Sequence, residues 1–205
     1  ALVPKAGAIL AMVTTPTYDP NTLASHDLAA ARAAWTALNG DPTRPLADRG
    51  TREIYPPGST FKLVTAAAAL ENGMAPDTMV DTPSSITLPN SSSVLGNSTN
   101  CGNGQQTLDR ALQLSCNTAF ANVGASLGSA KLKAQAEKFG FNATPMTDVT
   151  AAKSQFPTKL DAAQTMLSAI GQYDVAASPL QMAMVVSAIC NDGVMKTPYL
   201  VSEVR

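Results

Sequence analysis

The sequence predicts an α+β fold in which helices dominate and strands are few. Three observations lead to it. A length of 205 residues with a 45% hydrophobic fraction allows one large domain or two small ones, and argues against disorder over most of the chain. Capping residues followed by helically spaced apolar side chains recur from residue 25 to residue 193. Strand candidates, by contrast, are confined to residues 7–13 and a short piece at 86–88.

Gly7-Ala8-Ile9-Leu10-Ala11-Met12-Val13 is short and apolar and follows a turn, so it reads as a buried strand. Tyr18-Asp19-Pro20-Asn21 breaks the chain. A helix capped by Ser25 or Asp27 then runs through Ala33 and Trp35 and stops at Asn39-Gly40. A loop bearing Pro42 and Pro45 leads to Pro56-Pro57-Gly58. The next helix starts at Ser59 or Thr60, carries Leu63, Val64, Ala67 and Leu70, and ends at Asn72-Gly73.

Residues 83–106 are rich in Ser, Asn and Gly and read as a flexible loop around the short strand candidate. A helix through Leu108, Leu112 and Leu114 is interrupted by Ser115-Cys116-Asn117. Its successor carries Phe120, Val123 and Leu127 to Gly128. Ser129 is expected to cap another helix, ending at Phe139-Gly140, and one more runs from about Asp161 to Ile170. The last helix opens with Ser178 and Pro179, a favoured pairing. Met182, Ala183, Met184, Val185, Val186 and Ile189 leave it almost no polar face, the pattern of a helix buried in the middle of a domain. Cys190 reads there as a small apolar filler, and Asn191-Asp192-Gly193 ends the helix.

Charge narrows the function. The 14 Lys+Arg nearly balance the 15 Asp+Glu, for a net charge of −1, so no basic face is available to track phosphates and nucleic acid is not an expected partner. The longest apolar run, residues 179–190, is too short to span a membrane. No N-terminal signal is visible, and any membrane anchor is expected outside the given chain. The one histidine, His26, sits where a helix begins and reads as a solvated cap residue. With only Cys101, Cys116 and Cys190 beside it, a zinc site is hard to build, and no metal is expected. Acyl-transfer chemistry here needs a base other than histidine.

Ser59-Thr60-Phe61-Lys62 supplies one. A hydroxyl and an amine three residues apart share one face of a helix's first turn. Burial and the positive end of the helix dipole both push a lysine towards its neutral, basic form. Among 16 serines only Ser59 has a lysine at this spacing. Tyr55-Pro56-Pro57-Gly58 makes a rigid approach that leaves the helix start accessible. Ser115-Cys116-Asn117, in a break between helices, can point a second hydroxyl and a carboxamide into a cleft. Ser98-Thr99-Asn100 has the same spacing but lies in the polar loop.

Pro56-Pro57-Gly58-Ser59-Thr60-Phe61-Lys62 resembles the first motif of the penicillin-binding proteins, and Ser115-Cys116-Asn117 their second. Residues 7–13 with Tyr18-Asp19-Pro20-Asn21 resemble the strand and turn that open their transpeptidase domain. Ile170-Gly171-Gln172, Ser178-Pro179-Leu180-Gln181-Met182-Ala183 and Asn191-Asp192-Gly193 are similar to the segment leading to the third motif. The overall pattern is most similar to the class B proteins of actinobacteria, the type called penicillin-binding protein A.

The resemblance implies a serine β-lactamase/D,D-peptidase-like fold with a helical subdomain beside an antiparallel sheet. It also implies a cross-linking reaction on peptidoglycan stem peptides ending in D-Ala-D-Ala, with no cofactor. Ser59 would form the acyl-enzyme and Lys62 would take its proton. Ser115 would relay a proton to the leaving group, and Asn117 would hold the substrate's amide. β-Lactam antibiotics would acylate Ser59, and other wall-synthesis or division proteins would be partners. The implied location is the extracytoplasmic face of the bacterial cell membrane. Cys101 and Cys116 flank the helix before the second motif and could pair there, since disulfides persist in that compartment.

The family's third motif, Lys-Thr/Ser-Gly on a sheet strand, is absent. Lys196-Thr197 is followed by Pro198, which cannot donate to a sheet ladder. The expectation is that residues 1–205 form part of one transpeptidase domain, short of its C-terminal strands, with a natural pseudoenzyme as the alternative. Residues 1–18 would be strand and lead-in, 19–193 the mostly helical portion, and 194–205 the lead towards the missing strands. Two other readings are a serine β-lactamase or D,D-carboxypeptidase, and a β-lactam sensor or scaffold without turnover. A class A lactamase needs a glutamate in Glu-x-x-Leu-Asn; Glu53, Glu71, Glu137 and Glu203 all lack that context.

Overall fold

The computed structural model describes residues 1–145 and 147–203. The last two residues of the expected 194–205 lead lie outside them. The α-helices are α1 (Leu28–Gly40), α2 (Lys62–Glu71), α3 (Leu108–Gln113), α4 (Asn117–Leu127), α5 (Ser129–Lys138), α6 (Ala162–Ser168) and α7 (Pro179–Ile189). Capping residues start several of them, at Asp27 and Ser178 as the sequence predicts and at Asp161 where only a helix start is expected. Asp27 accepts from the Ala29 and Ala30 N–H groups, Asp161 and Gln164 form a reciprocal capping box, and Ser178 accepts from Gln181 N ahead of Pro179. Each such bond contributes about 1 kcal/mol. At α5 the expectation fails: Ser129 is already the first helical residue, and Gly128 (φ 80°) occupies the cap position without a side chain.

Helix α2 lies at the centre, with α3, α4, α5 and α7 packed on it. Val64, Thr65, Ala68 and Ala69 are fully buried there. This alanine-rich stretch combines high helix propensity with side chains small enough for neighbours to approach closely. Helix α4 meets the end of α6 even more tightly, since a Cβ at Gly124 would stand 2.2 Å from the Ala169 Cβ. The Thr65 hydroxyl donates to the Ala169 carbonyl at 2.6 Å, fixing the chain after α6 against α2. Phe61 closes the core below the start of α2, edge-on to Phe141 and stacked on Phe156.

The polar stretch expected to be a loop, together with the residues just before it, forms two antiparallel sheets. β1 (Met79–Thr82) pairs with β4 (Gly104–Thr107), and β2 (Ser85–Thr87) pairs with β3 (Val94–Gly96). Of these, only β2 matches the expected strand at 86–88. The others are only three or four residues long, and their order comes from their pairing and from Ile86, Leu88 and Leu95 packing on Ala121 and Met166.

Two further expectations are corrected. Residues 7–13 form no strand; they make only the isolated bridges Leu2–Ile9 and Ala8–Tyr199, and although Gly7 is buried, residues 10–13 are exposed, Leu10 at 71% and Val13 at 84%. A strand exists only where a ladder runs on, and here Gly7, Ala8, Ile9 and Leu10 make backbone hydrogen bonds to residues 1–3 and Tyr199 that never extend into one. Helix α7 is apolar all round but buried on one side, with Val186 and Ile189 half exposed and Cys190 at its end exposed with a free thiol. Apolar composition could not distinguish one packed face from two.

Candidate active site

The nucleophile turn is set by backbone contacts. Pro57 precedes a 3-10 turn, Gly58–Phe61, that leads directly into α2. Helical hydrogen bonding thus begins one turn earlier than α2 itself, and Ser59 is exposed while Lys62, one turn on, is fully buried. Gly58 has a positive φ of 54° and donates its N–H to the Gly171 carbonyl at 2.9 Å. Gly171 has room for no side chain, because a Cβ there would lie 2.3 Å from the Gly58 oxygen and 2.7 Å from its nitrogen. The Ile170-Gly171-Gln172 landmark therefore has a physical role: it lets two backbones touch beneath the serine.

The second turn is built differently. Ser115 takes a left-handed conformation (φ 56°), unusual for a residue with a side chain, between α3 and α4. Its N–H donates to Leu112 O, and that of Cys116 to Ala111 O, so the end of α3 is closed and the chain reverses into α4. Cys116 is bonded to Cys101, with both sulfurs buried and Cα atoms 5.9 Å apart. The Thr99 hydroxyl adds a bond to Leu114 O at 2.6 Å. Ser98-Thr99-Asn100, the competing Ser-x-Asn, therefore braces the site from outside, and Asn100 accepts from Gly102 N.

The two turns meet at the Lys62 amine. Nζ lies 3.1 Å from Ser59 Oγ, 2.6 Å from Ser115 O, 3.1 Å from Ser115 Oγ and 2.7 Å from Asn117 Oδ1. The Asn117 Nδ2 donates to Gly96 O at 3.0 Å. Thus Ser59, Lys62, Ser115 and Asn117 form one hydrogen-bonded cluster, although 53 residues separate Lys62 from Ser115.

Burial sets the electrostatics. Loss of hydration pushes the Lys62 amine down from 10.5 to about 8. At pH 7.5 roughly one molecule in four then carries a neutral amine, against roughly one in a thousand for an unshifted lysine. The two closest oxygens, a backbone carbonyl and an amide carbonyl, can only accept. In a neutral amine they hold both N–H bonds and leave the lone pair facing the Ser59 and Ser115 hydroxyls. The arrangement can therefore take a proton from one serine and pass it to the other.

A family model, the penicillin binding protein transpeptidase domain, matches residues 1–205. The chain belongs to that family. Peptidoglycan D,D-transpeptidase PbpA of Mycolicibacterium smegmatis is 47% identical over 209 residues, covering 100% of this chain and 43% of the relative. The structure of penicillin-binding protein A from M. tuberculosis as an imipenem acyl-enzyme complex superposes with a TM-score of 0.93 at 40% identity, over 98% of this chain and 47% of that one. A peptidoglycan synthase complex coordinating polymerization and crosslinking matches with a TM-score of 0.87 at 30% identity, over 98% of this chain and 36% of its own. The chain thus spans less than half the length of each of these relatives, and its fold is that of the family's transpeptidase domain.

Other candidates lie apart from this cluster. Lys196 and Thr197 line a cavity of about 150 Å³ with Gly140, Pro145, Met184 and Met195, and none of the four cluster residues lines it. His26 is exposed beside the cap of α1. Glu71 pairs with Lys138, and Glu137 with Lys133. Glu53 pairs with Arg44 and accepts from the Tyr55 hydroxyl, which holds its carboxyl below the usual range. The Gly96 carbonyl is the functional group that sequence reasoning missed. A glycine's carbonyl in a Ser/Asn-rich stretch carries no signal of its own.

Proposed function

We propose that the chain supplies the nucleophile, base and proton-relay groups of a peptidoglycan D,D-transpeptidase. The observation that carries this reading is the buried Lys62 amine, shared between an exposed serine and a second serine. Ser59 Oγ attacks the carbonyl of the penultimate D-alanine of a stem peptide while its proton passes to neutral Lys62. The Ser59 backbone N–H contributes one donor to the developing oxyanion, and such a donor is worth about 3 kcal/mol in related acyl transfers. As the C–N bond breaks, Ser115 gives its proton to the departing D-alanine nitrogen and is reprotonated by Lys62. The product is an ester on Ser59. An amine from a neighbouring stem peptide then attacks that ester, the Ser59 C–O bond breaks, and the amine's proton returns to Ser59 through Lys62.

Asn117 Oδ1 is committed to Lys62 and one of its N–H bonds to Gly96, which leaves the second N–H for a substrate carbonyl. A β-lactam enters the same path and stays as the ester. In this reading the domain works on the extracytoplasmic face of the membrane, where such a substrate lies; the disulfide beside the site supports that. Other wall-synthesis proteins are the partners it would meet there. Among the described residues no helix is long and apolar enough to cross a membrane.

The test is an intact mass after incubating the natural full-length protein with a penicillin. An added mass equal to the antibiotic is expected, and none in Ser59→Ala. No adduct, or one that survives Ser59→Ala, overturns the assignment. An adduct that turns over within seconds would make the protein a lactamase instead.

A further inference from the structure

The Lys62 base depends on which end of an amide it meets. Asn117 presents Oδ1, which accepts; turned over, it would present an NH2 group, which cannot. The orientation is fixed from the far end, where Nδ2 donates to the Gly96 carbonyl. Gly96 ends β3, and the next residue is bound into the first turn of α4. Asn97 Oδ1 accepts from Thr118 N at 3.0 Å, and Asn97 Nδ2 donates to Thr118 Oγ1 at 3.0 Å and to Pro83 O at 3.1 Å. The Thr118 hydroxyl donates to the same Pro83 carbonyl at 2.9 Å, and Thr118 is fully buried. Cys116, at the cap position of α4, makes no capping bond with its side chain. Asn97 supplies that bond from 21 residues away.

We propose that Asn97 and Thr118 form a clamp that aims the Gly96 carbonyl at Asn117, making Asn97 a positioning residue for the Lys62 base. The proposal rests on the reading of Ser59 and Lys62 given above. Without the clamp, the strand end is free to shift and the carboxamide to rotate. Lys62 then loses one of its two fixed acceptors. An ammonium loses more than a neutral amine when a carbonyl oxygen leaves, so the proton dissociates at lower pH. The lone pair is also no longer confined to the two hydroxyls, and proton transfer slows.

No other charge on the packed elements accounts for such a shift. Helices α4 and α7 carry no charged residue. On α3, Asp109 is bonded to Thr107 and Arg110 to Gln113; Glu71 at the far end of α2 pairs with Lys138 of α5, and Lys133 with Glu137. Lys131 is exposed. Asp81 of β1 accepts from Gln105 of β4.

The experiment measures the acylation rate by a chromogenic cephalosporin from pH 6 to 10 in the natural full-length protein, with the acylatable fraction counted by penicillin adduct. Asn97→Ala and Thr118→Val are expected to lower the high-pH plateau about tenfold and to move the midpoint down by about half a unit or more. Thr118→Ser, which keeps the hydroxyl, is expected to restore both. Thr118→Val is nearly isosteric and carries the test if Asn97→Ala does not fold. A plateau that falls with the midpoint unmoved overturns the clamp, because loosening α4 alone would produce it. Unaltered profiles in both variants overturn it as well. No acylation of the unsubstituted protein removes the underlying reading and the clamp with it, whereas a working parent with unshifted variants removes the clamp alone.

Discussion

The two arms of the site are built in opposite ways. Ser59 and Lys62 stand three residues apart on one continuous piece of helix packed in the core, and the turn that carries Ser59 has one close backbone approach, Gly171 against Gly58. Ser115 and Asn117 stand on a turn with a left-handed serine. A disulfide, a threonine bond and the end of a strand hold it in place, all supplied by residues 96–101. The first arm is therefore intolerant at one point. The second is distributed, and each of its supports can be removed separately.

The largest effect is expected at the single point. Gly171→Ala puts a Cβ into backbone atoms that cannot give way, at a φ of 70°. Stability is expected to fall by about 3 kcal/mol or more, and acylation of any folded protein about a hundredfold, read by chemical denaturation and adduct formation. A near-neutral result would mean the Ser59 turn is not pinned there. The paired change Cys101→Ser, Cys116→Ser removes one support of the other arm. For a cross-link spanning 15 residues, the expected loss is about 2–3 kcal/mol, with acylation reduced less than by Gly171→Ala. Equal losses of acylation in the two variants would erase the distinction between the arms.

The smallest effect has the opposite sign. Ser115→Gly relieves the left-handed strain and is expected to raise stability by about 0.5–1 kcal/mol. Acylation is expected to fall, because the relay hydroxyl is gone. A more stable, less active protein would show strain kept for function; a less stable one would show that the Ser115 hydroxyl matters more to folding than its backbone does.

The same contrast explains what the sequence makes legible. Ser59-x-x-Lys62 is local, so helical spacing alone places both groups on one face. The caps at Asp27, Asp161 and Ser178 are equally local. The strands from residue 79 to 107 are not, since Gln105 and Gln106 become strand residues only by facing Asp81 and Val80. Nothing near Asn97 announces that it caps a helix 21 residues away. The strand expected at residues 7–13 and the fully buried helix expected at α7 fail for a related reason: apolar composition reports what a segment could pack against, not what lies beside it. The second motif falls between these cases. Its Ser-x-Asn spacing matches a polar-loop segment equally well, and only flanking helices and family resemblance separate the two.

The pH dependence of Ser59 acylation tests the role of Lys62 most directly. Burial lowers this amine to about 8. Below that pH the protonated form dominates, so the rate is expected to fall about tenfold per unit of pH below 7 and to level off above 9. In Lys62→Met the remaining rate is expected to be small and to lose this limb. A parent profile that is flat from pH 6 to 9.5, or a limb that persists in Lys62→Met, would contradict the assignment of Lys62 as the base.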